Sequence, residues 1–269
     1  FFFKQKTAYE IPKRDWSSDV CSSDLDAVRY WAAKGGPGVD TAFDPGQMQV
    51  GRRLAIKLLN ASRFVLMQPE PIGPVAEWLD AAMLRELADV VEDATRQLGA
   101  YDYSAALRTT ESFFWAFCDD YIELVKRRRA AGDAGAASAN QAAQTALSIL
   151  LRLFAPFLPF VTEEVWSWWQ GGSVHHAKWP AKDEVLARIP AGGPDSAVWQ
   201  SAREITAHIR QKRSADKRTF KEPVTITALP KSVEPTWPKI QADVLAGNNA
   251  LAPSIQFTTD ADSLVGFSD

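Results

Sequence analysis

The sequence predicts a mainly α-helical protein, an antiparallel helical bundle followed by a small α/β appendage. Apolar residues recur every three or four positions over most of residues 47–170, the connections between these segments are short, and strand-like segments follow only after residue 220. The 269 residues are 46% hydrophobic and 23% charged, as in globular proteins of one or two domains. This composition excludes collagen-like, low-complexity and wholly disordered chains.

The first 25 residues have no periodicity that would give them a buried face, so we expect them to be disordered. They resemble the translated read of a sequencing adaptor, which would make them foreign to the natural protein. A natural disordered arm is the alternative. Residues 26–46 are predicted to be a linker, with a short helical pattern through Val28 and Trp31 that passes into a Gly-Pro-rich connector.

The first two bundle helices are indicated by their apolar stripes. In residues 47–67, Leu54, Leu58, Ala61 and Val65 recur at spacings of 4, 3 and 4 on one side of a helix. The second helix is predicted to open at Gly73-Pro74 and to close at a left-handed Gly99. Its apolar seam is formed by Leu84, Leu87, Val91, Ala94 and Leu98.

Three further helices complete the predicted bundle. One runs from an N-cap at Ser104 to about Ala130, with a stripe of Phe114, Phe117, Tyr121 and Leu124. Residues 132–140 are predicted to be a flexible turn, after which Asn140 caps a helix that ends at Phe154. A short helix begins at Thr162, runs through Trp169 and ends at Gly171-Gly172.

The pattern changes after Pro194. We predict a helix over 196–213, a strand over 224–229, a helix over 237–245 and a strand over 254–259, with the two strands tied through a helix. The sequence therefore predicts a helical domain over residues 47–180 and a small α/β appendage over residues 194–269.

No catalytic or metal-binding constellation is evident in the sequence. The glycines of Gly35–Gly38 lie in a linker with no preceding strand, which argues against a phosphate-binding loop. His175 and His176 have no Cys or acidic partner at ligand spacing and are expected at the surface. Cys21 and Cys118 are too few for a disulfide framework or a four-ligand zinc site. No run of 18 apolar residues occurs, so we expect no contact with a membrane.

Charge is unevenly distributed along the chain. The formal net charge is −3, but residues 77–123 carry eleven acids against three bases, whereas residues 203–221 carry seven bases against two acids. Nucleic-acid binding would therefore depend on local patches. The alternative interpretation is structural, because bases at a helix end complement the dipole and charge runs are often solvated faces.

The helix over residues 47–67 has a basic face. At 100° per residue, its bases and one asparagine fall within an arc of about 140°, with an aromatic residue among them. Proteins bind single-stranded RNA by stacking its nucleobases on aromatic rings, contacting nucleobase edges with amides and placing Arg and Lys side chains on phosphates. Phe64, the aromatic residue, has an alternative role as a core anchor of the helix end.

Several segments resemble the valyl-tRNA synthetase family: DAVRYWAAKGGPGVDTAFD, GRRLAIKLLNASRFV, YDYSAALRTTESFFWAFCDDYIELVKRR, LLRLFAPFLPFVTEEVWSWW and SVHHAKWP. The resemblance covers residues 26–180. Isoleucyl and leucyl synthetases share the NASRFV, FFWAFCDDYIELVK and APFLPFVTEEVW blocks in looser form, and GGPGVDTAFD favours the valyl family. The tail HIRQKRSADKRTFKEPVTITAL is similar to the family's carboxy-terminal extension, which adds tRNA contacts.

The resemblance implies a carboxy-terminal fragment whose helical domain grips the anticodon arm of a tRNA, tRNA(Val) in particular, in the cytoplasm. The family uses ATP with magnesium to activate valine, through a His-x-Gly-His block and a Lys-Met-Ser-Lys-Ser loop that this sequence lacks. We therefore expect the chain to be inactive alone and to hold no cofactor. We also expect a monomer. The alternatives are an isoleucyl- or leucyl-type synthetase fragment, or a helical protein-interaction module whose acidic segment 77–123 docks a basic partner.

The residues expected to contact tRNA lie in three groups, and no catalytic or metal-binding residue is predicted. The helices over 47–67 and 104–129 are expected to form the RNA-facing side. The first group is Arg52, Arg53, Lys57, Asn60, Arg63 and Phe64; the second is Lys126, Arg127 and Arg128; the third is Arg210, Lys212, Arg213 and Lys217.

Overall fold

The protein is mainly helical, as the sequence predicts. The computed structural model describes residues 20–36, 38, 40–67, 73–259 and 266–268. Its helices are α1 (Val20–Lys34), α2 (Pro45–Leu66), α3 (Trp78–Gly99), α4 (Tyr103–Ala116), α5 (Ile122–Arg129), α6 (Ala134–Phe154), α7 (Pro159–Ser167), α8 (Lys182–Leu186), α9 (Ala197–Ala215) and α10 (Trp237–Asn248). Its strands are β1 (Val224–Pro230), β2 (Ala250–Leu251), β3 (Gln256–Thr258) and β4 (Gly266–Ser268).

The described residues form two compact units. The first is drawn from Phe1–Pro69, Leu87–Phe114 and Ala143–Leu186; the second from Glu70–Glu86, Trp115–Ala142 and Ala187–Asp269. Within the described ranges no helix is both long enough and apolar enough to cross a membrane.

In the first unit, α2 packs against α1 and α7. Asp44 caps α2, since its Oδ1 accepts hydrogen bonds from the backbone N–H groups of Gly46 and Gln47 at 2.8 and 3.2 Å. The predicted apolar side is confirmed: Leu54, Leu58, Ala61 and Val65 are all buried. One side of α2 is thus held in the core while the other faces water.

The close approach of α1 and α2 depends on Gly51. A Cβ at this position would lie 2.7 Å from the Cβ of Tyr30, which is the root of that side chain and cannot swing away. The Tyr30 ring is fully buried, and its hydroxyl donates a hydrogen bond of 2.9 Å to the carboxylate of Glu111. Glycine therefore sets how near α2 lies to its neighbour.

A buried carboxylate joins α1 to the beginning of α7. Asp26 is fully buried and accepts hydrogen bonds from the backbone N–H groups of Phe160 and Val161 at 3.2 and 2.9 Å. These donors belong to the first turn of α7, where a helix has no internal acceptors for them. Burial raises the pKa of Asp26 from its ordinary 3.8 to about 6, although the two N–H donors and Arg29 act to lower it.

In the second unit, β1 is parallel to β2 and β3 and antiparallel to β4. Val224 pairs with Ala250, Ala228 pairs with Gln256, and Ile226 pairs with Phe267. The helix α10 lies between β1 and β2 in the chain. The predicted connection of two strands through a helix is confirmed.

The predicted third helix is present with an irregularity. Residues 103–129 form α4, a π-helical segment Phe117–Tyr121, and α5 in succession. The predicted stripe of Phe114, Phe117, Tyr121 and Leu124 is buried. Its N-cap is Asp102 rather than Ser104: Asp102 Oδ1 accepts a hydrogen bond of 2.9 Å from Ala105 N, whereas Ser104 Oγ donates to the Lys34 carbonyl.

The ends of α3 differ from the prediction. Gly73 and Pro74 precede the helix, which begins only at Trp78, because Ser138 Oγ of α6 accepts hydrogen bonds from Ala76 N and Glu77 N and orders these residues outside it. At the other end the left-handed residue is Tyr101, with φ of 62°, rather than Gly99. Hydrogen bonds from Asp102 N to Gln97 O and from Tyr101 N to Leu98 O close this end.

The turn predicted over residues 132–140 is wrong for its larger part. The helix α6 begins at Ala134, and Asp133 Oδ1 accepts a hydrogen bond of 2.8 Å from Ala136 N. Asn140 is no cap, because its Oδ1 accepts a hydrogen bond from the buried Arg129 inside the unit. The several alanines of this stretch are strong helix formers, and they outweigh its glycine and serine residues.

Two other boundaries are corrected. The helix α7 begins at Pro159 rather than Thr162, whose Oγ1 donates to the Leu158 carbonyl at 2.8 Å. Disorder was predicted over residues 1–25, of which residues 1–19 lie outside the described residues. Val20–Leu25 form the start of α1 instead.

Replacing Gly51 by alanine is expected to lower the free energy of unfolding by about 1–3 kcal/mol, because the new methyl group overpacks the contact with Tyr30. Gly99→Ala is the matched control, since nothing lies within 4 Å of a Cβ there. Chemical denaturation measures both variants. Equal stability of the two variants would contradict the close packing of α1 on α2.

Asp26→Asn is expected to change the pH dependence of stability. Since the folded chain holds the Asp26 proton more tightly than the unfolded chain, the free energy of unfolding of the wild type falls as pH rises from about 4 to about 6. The variant lacks this loss. Between pH 4 and pH 7, the free energy of unfolding of the variant, measured by urea titration, should rise by roughly 2–3 kcal/mol relative to that of the wild type. A difference that stays constant with pH would contradict the burial of the charged carboxylate.

Candidate nucleic-acid interface

The face of α2 that points away from the core carries cations and no acid. Residues 45–66 contain four bases and neither Asp nor Glu. Arg52, Arg53 and Asn60 are exposed. In the part of the chain that the structure describes, the side chains of Arg53 and Asn60 make no hydrogen bond or ion pair, so they are available to a ligand. An acid-free cationic face of this kind attracts phosphates.

The remaining predicted residues of α2 are half-buried. Lys57, Arg63 and Phe64 each lie between the exposed face and the core. The Arg63 guanidinium lies over the ring of Trp168, 5.6 Å from its centroid, and Trp168 Nε1 donates a hydrogen bond of 3.1 Å to Glu164 Oε1. Phe64 is neither fully buried nor fully exposed, so its burial does not decide between the two interpretations that the sequence left open.

Two apolar residues on this face were missed by the sequence reasoning. Ile56 is 43% exposed and Met67 is 63% exposed. At 100° per residue both fall inside the arc spanned by Arg52 and Asn60. Their helical positions carry this signal, but aliphatic side chains on the cationic face were not considered as contacts. The face consequently offers apolar contact as well as charge, which suits the flat surfaces of unpaired bases.

In the second group of predicted contacts, Lys126, Arg127 and Arg128, the structure separates Arg128 from the other two. Its guanidinium donates to Asp243 at 2.9 Å and to Asp80 at 2.7 and 2.8 Å, and also to the Gly135 carbonyl. Burial alone lowers the pKa of Arg128, but the hydrogen bonds to these two carboxylates raise it above its ordinary value. Arg128 is a structural residue and is not available to a ligand.

Asp80 is the centre of a polar network in the core of the second unit. This fully buried carboxylate accepts hydrogen bonds from the Tyr121 hydroxyl at 2.9 Å and from Ser138 Oγ at 2.7 Å, in addition to Arg128. The neighbouring cations differ: Arg127 is exposed, and Lys126 is exposed beside Glu123 at 3.4 Å. The last turn of α5 therefore presents Lys126 and Arg127 to water and directs Arg128 and Arg129 inward.

The third group also divides. Arg213 is buried and donates to four backbone carbonyl groups. Arg210 donates to Asp120 Oδ1 at 2.7 Å and to the Asp119 carbonyl. Lys212 is exposed beside Asp216 at 3.1 Å, and Lys217 is exposed. Burial thus removes Arg213 from the set of possible contacts, whereas the Arg210 side chain pairs with Asp120 but is still 47% exposed.

Metal-binding side chains do not cluster in the described residues. Among them no group of three His, Cys, Asp or Glu side chains is placed to hold a metal ion. His175 and His176 are exposed, as predicted, and Cys118 is buried in the second unit.

Arg128→Ala is expected to lower the free energy of unfolding by about 3–5 kcal/mol, because it leaves Asp80 buried without its cation. Arg127→Ala, one position earlier and exposed, should change stability by less than about 0.5 kcal/mol. Denaturant unfolding distinguishes them. If both variants were as stable as the wild type, Asp80 would not depend on Arg128.

The comparisons with known proteins agree with one another. A family model described as the anticodon-binding domain of tRNA ligase matches residues 80–228. The chain is 50% identical over 220 residues to the valine–tRNA ligase of Salinispora arenicola (strain CNS-205), which covers 74% of this chain and 26% of that protein. It is 48% identical over 242 residues to the valine–tRNA ligase of Thermobifida fusca (strain YX), covering 87% and 27%.

A solved structure also resembles the chain, the ternary complex of Agrobacterium radiobacter K84 agnB2 LeuRS with tRNA and LeuAMS. The identity is 20% and the TM-score is 0.46, over 68% of this chain and 24% of that one. The chain spans about a quarter of the length of the curated relatives it matches. Because the family model matches more than half of its residues, the chain belongs to the family of anticodon-binding domains of tRNA ligases.

Proposed function

We propose that the chain binds the anticodon arm of a tRNA, specifically tRNA(Val), as the tRNA-binding part of a valine–tRNA ligase. The observation that carries this proposal is the acid-free cationic face of α2, in a chain of the anticodon-binding family whose relatives are valine–tRNA ligases. The helix α2 precedes the matched residues 80–228, so its role rests on the placement of its side chains.

The side chains of α2 supply distinct kinds of contact. Arg52, Arg53 and Lys57 approach phosphates, which contributes affinity without sequence information. The amide of Asn60 both donates and accepts hydrogen bonds, so it can contact a base edge. Ile56 provides an apolar neighbour for the same base. Arg63, whose guanidinium lies over the Trp168 ring, is at the carboxy-terminal end of this face.

The second unit contributes fewer contacts than the sequence suggested. Lys126, Arg127, Lys212 and Lys217 remain exposed and extend the proposed tRNA-binding surface of that unit. Arg128 and Arg213 are excluded from it because their guanidinium groups are largely buried and bind carboxylates or carbonyls of the protein. Arg210 stays in the proposed set, exposed beside Asp120 as Lys212 is beside Asp216.

The proposal extends to the whole enzyme. ATP-dependent activation of valine, with magnesium, belongs to parts of the ligase outside this chain, and the chain alone is expected to be inactive and monomeric in the cytoplasm. We retain the division into a helical domain over residues 47–180 and an appendage over 194–269 as part of the proposal.

A protein-interaction module is less well supported. Its acidic segment would have to be free to dock a basic partner, but several of its carboxylates are already paired within the second unit. Asp80 binds Arg128, Glu86 lies 3.3 Å from Arg203, and Asp120 contacts Arg203 and Arg210. These pairs neutralise part of the charge on which that alternative depends.

The proposal is tested by measuring the affinity for tRNA(Val) across a salt series. Arg53→Gln should reduce the slope of log K against log salt by roughly 0.7, because one phosphate contact is lost. Asn60→Ala should leave the slope unchanged. The ratio of the affinities of the Asn60→Ala variant for tRNA(Val) and for a tRNA with a substituted anticodon should fall about tenfold, because a base-edge hydrogen bond is lost.

Arg96→Gln is the matched control, since Arg96 is exposed on α3 and its ion pair among the described residues is the local one with Asp93. It should bind like the wild type. Wild-type binding that does not respond to salt, or equal binding by Arg53→Gln and Arg96→Gln, would contradict the proposed interface.

A further inference from the structure

The loop after α9 holds an aromatic ring in water. Phe220 is 58% exposed although it lies only a few residues before the buried first residue of β1, Val224. Single exposed apolar residues are common on proteins. Phe220 is distinctive because of what fixes its backbone and what lies on either side of it.

Arg213 fixes this loop from inside the second unit. Its Nη1 donates to the carbonyls of Thr219 and Glu222 at 2.6 and 2.7 Å. Its Nη2 donates to the carbonyls of Asn248 and Asn249 at 3.0 and 3.2 Å. One buried guanidinium therefore joins the loop to the end of α10, which limits the motion of the residues between Thr219 and Glu222.

Asn249 and Glu222 add a second set of attachments. Asn249 Nδ2 donates to the carbonyls of Phe220 and Lys221 at 3.0 and 3.2 Å. The Glu222 carboxylate accepts hydrogen bonds from the backbone N–H and the hydroxyl of Thr219. The loop is thus preorganised, and a ligand that binds to it loses little additional conformational entropy.

One side of the Phe220 ring is already in contact with a cation. The Arg213 guanidinium lies 5.4 Å from the ring centroid. Since Nη1 and Nη2 are bound to carbonyls of the protein and Nε is buried, this arginine supports the ring rather than offering donors to a ligand. The exposed part of the ring remains open to a second planar group.

The loop is also cationic. Residues 212–221 contain five bases and one acid. Lys217 and Lys221 are exposed on either side of Phe220, and neither forms an ion pair in the ranges that the structure describes. The single acid, Asp216, lies 3.1 Å from Lys212.

We propose that this loop, residues 217–221, is a binding site for single-stranded RNA, in which an unpaired base stacks on Phe220 and the flanking phosphates lie against Lys217 and Lys221. Sites of this kind combine a cationic surface with an aromatic platform and are tolerant of sequence. The choice of RNA as the ligand rests on the proposed function, whereas the site rests on the loop geometry alone. A purely apolar protein contact would require the hydrophobic area of Phe220 but not its planarity.

The test compares Phe220→Leu with Phe220→Trp in binding an oligouridylate of about 12 nucleotides at low salt. Leucine keeps an apolar side chain but removes the planar ring, so the affinity should fall about tenfold. Tryptophan should keep or increase it. Tyr101→Leu is the matched control because it removes another exposed aromatic ring, in the first unit, and it should leave the affinity unchanged.

Thermal unfolding of each variant should match the wild type, since Phe220 is largely in water. Lys217→Gln combined with Lys221→Gln should reduce the salt slope by roughly 1.4, for two phosphate contacts. Wild-type affinity in Phe220→Leu would overturn the loop site, and so would an equal loss in Tyr101→Leu.

The failure of this site can be distinguished from the failure of the proposed function. If Arg53→Gln weakens tRNA binding while Phe220→Leu binds the oligonucleotide like the wild type, the loop site is overturned and the α2 interface stands. If only Phe220→Leu has an effect, the loop site stands and the α2 interface is overturned.

Discussion

The burial of one side of α2 is the constraint on which the proposed interface depends. Leu54, Leu58 and Val65 are completely buried, and α1 and α7 hold that side of the helix. A helix fixed in this way cannot rotate to hide its opposite side, so Arg53 and Asn60 remain in water. Gly51 on α2 and Asp26 on α1 act on the same arrangement, since one permits the close approach to Tyr30 and the other joins α1 to α7.

The arginines of the second unit show that charge alone does not identify a binding surface. Arg127 and Arg128 are neighbours in a run of four bases, but a helix turns them 100° apart. One lies in water, and the other binds Asp80 and Asp243, which come from helices remote in the sequence. Burying a guanidinium is costly unless its donors are satisfied, and the unit provides acceptors for Arg128 in Asp80, Asp243 and the Gly135 carbonyl. Such residues stabilise the fold that supports the exposed cations.

Helical periodicity predicted most of the fold, because it depends only on which side chains share a face. The stripes of α2, α3 and α4–α5 were identified from that signal, and the helical class is confirmed. The boundaries were less predictable. They depend on partners from other segments, such as Ser138 before α3, or on an acidic residue, such as Asp133, that caps a helix in a stretch resembling a turn. For the same reason no sequence pattern distinguishes the buried Arg213 from the exposed Lys217.

The most direct test of the central claim is photochemical cross-linking of the chain to a tRNA(Val) that carries 4-thiouridine in its anticodon loop, followed by mass spectrometry of the linked peptides. If the exposed face of α2 contacts the anticodon, the modified nucleotide should link to the peptide that contains Arg53, Ile56 and Asn60. Cross-links confined to peptides outside α2, from a complex of undiminished affinity, would contradict the claim.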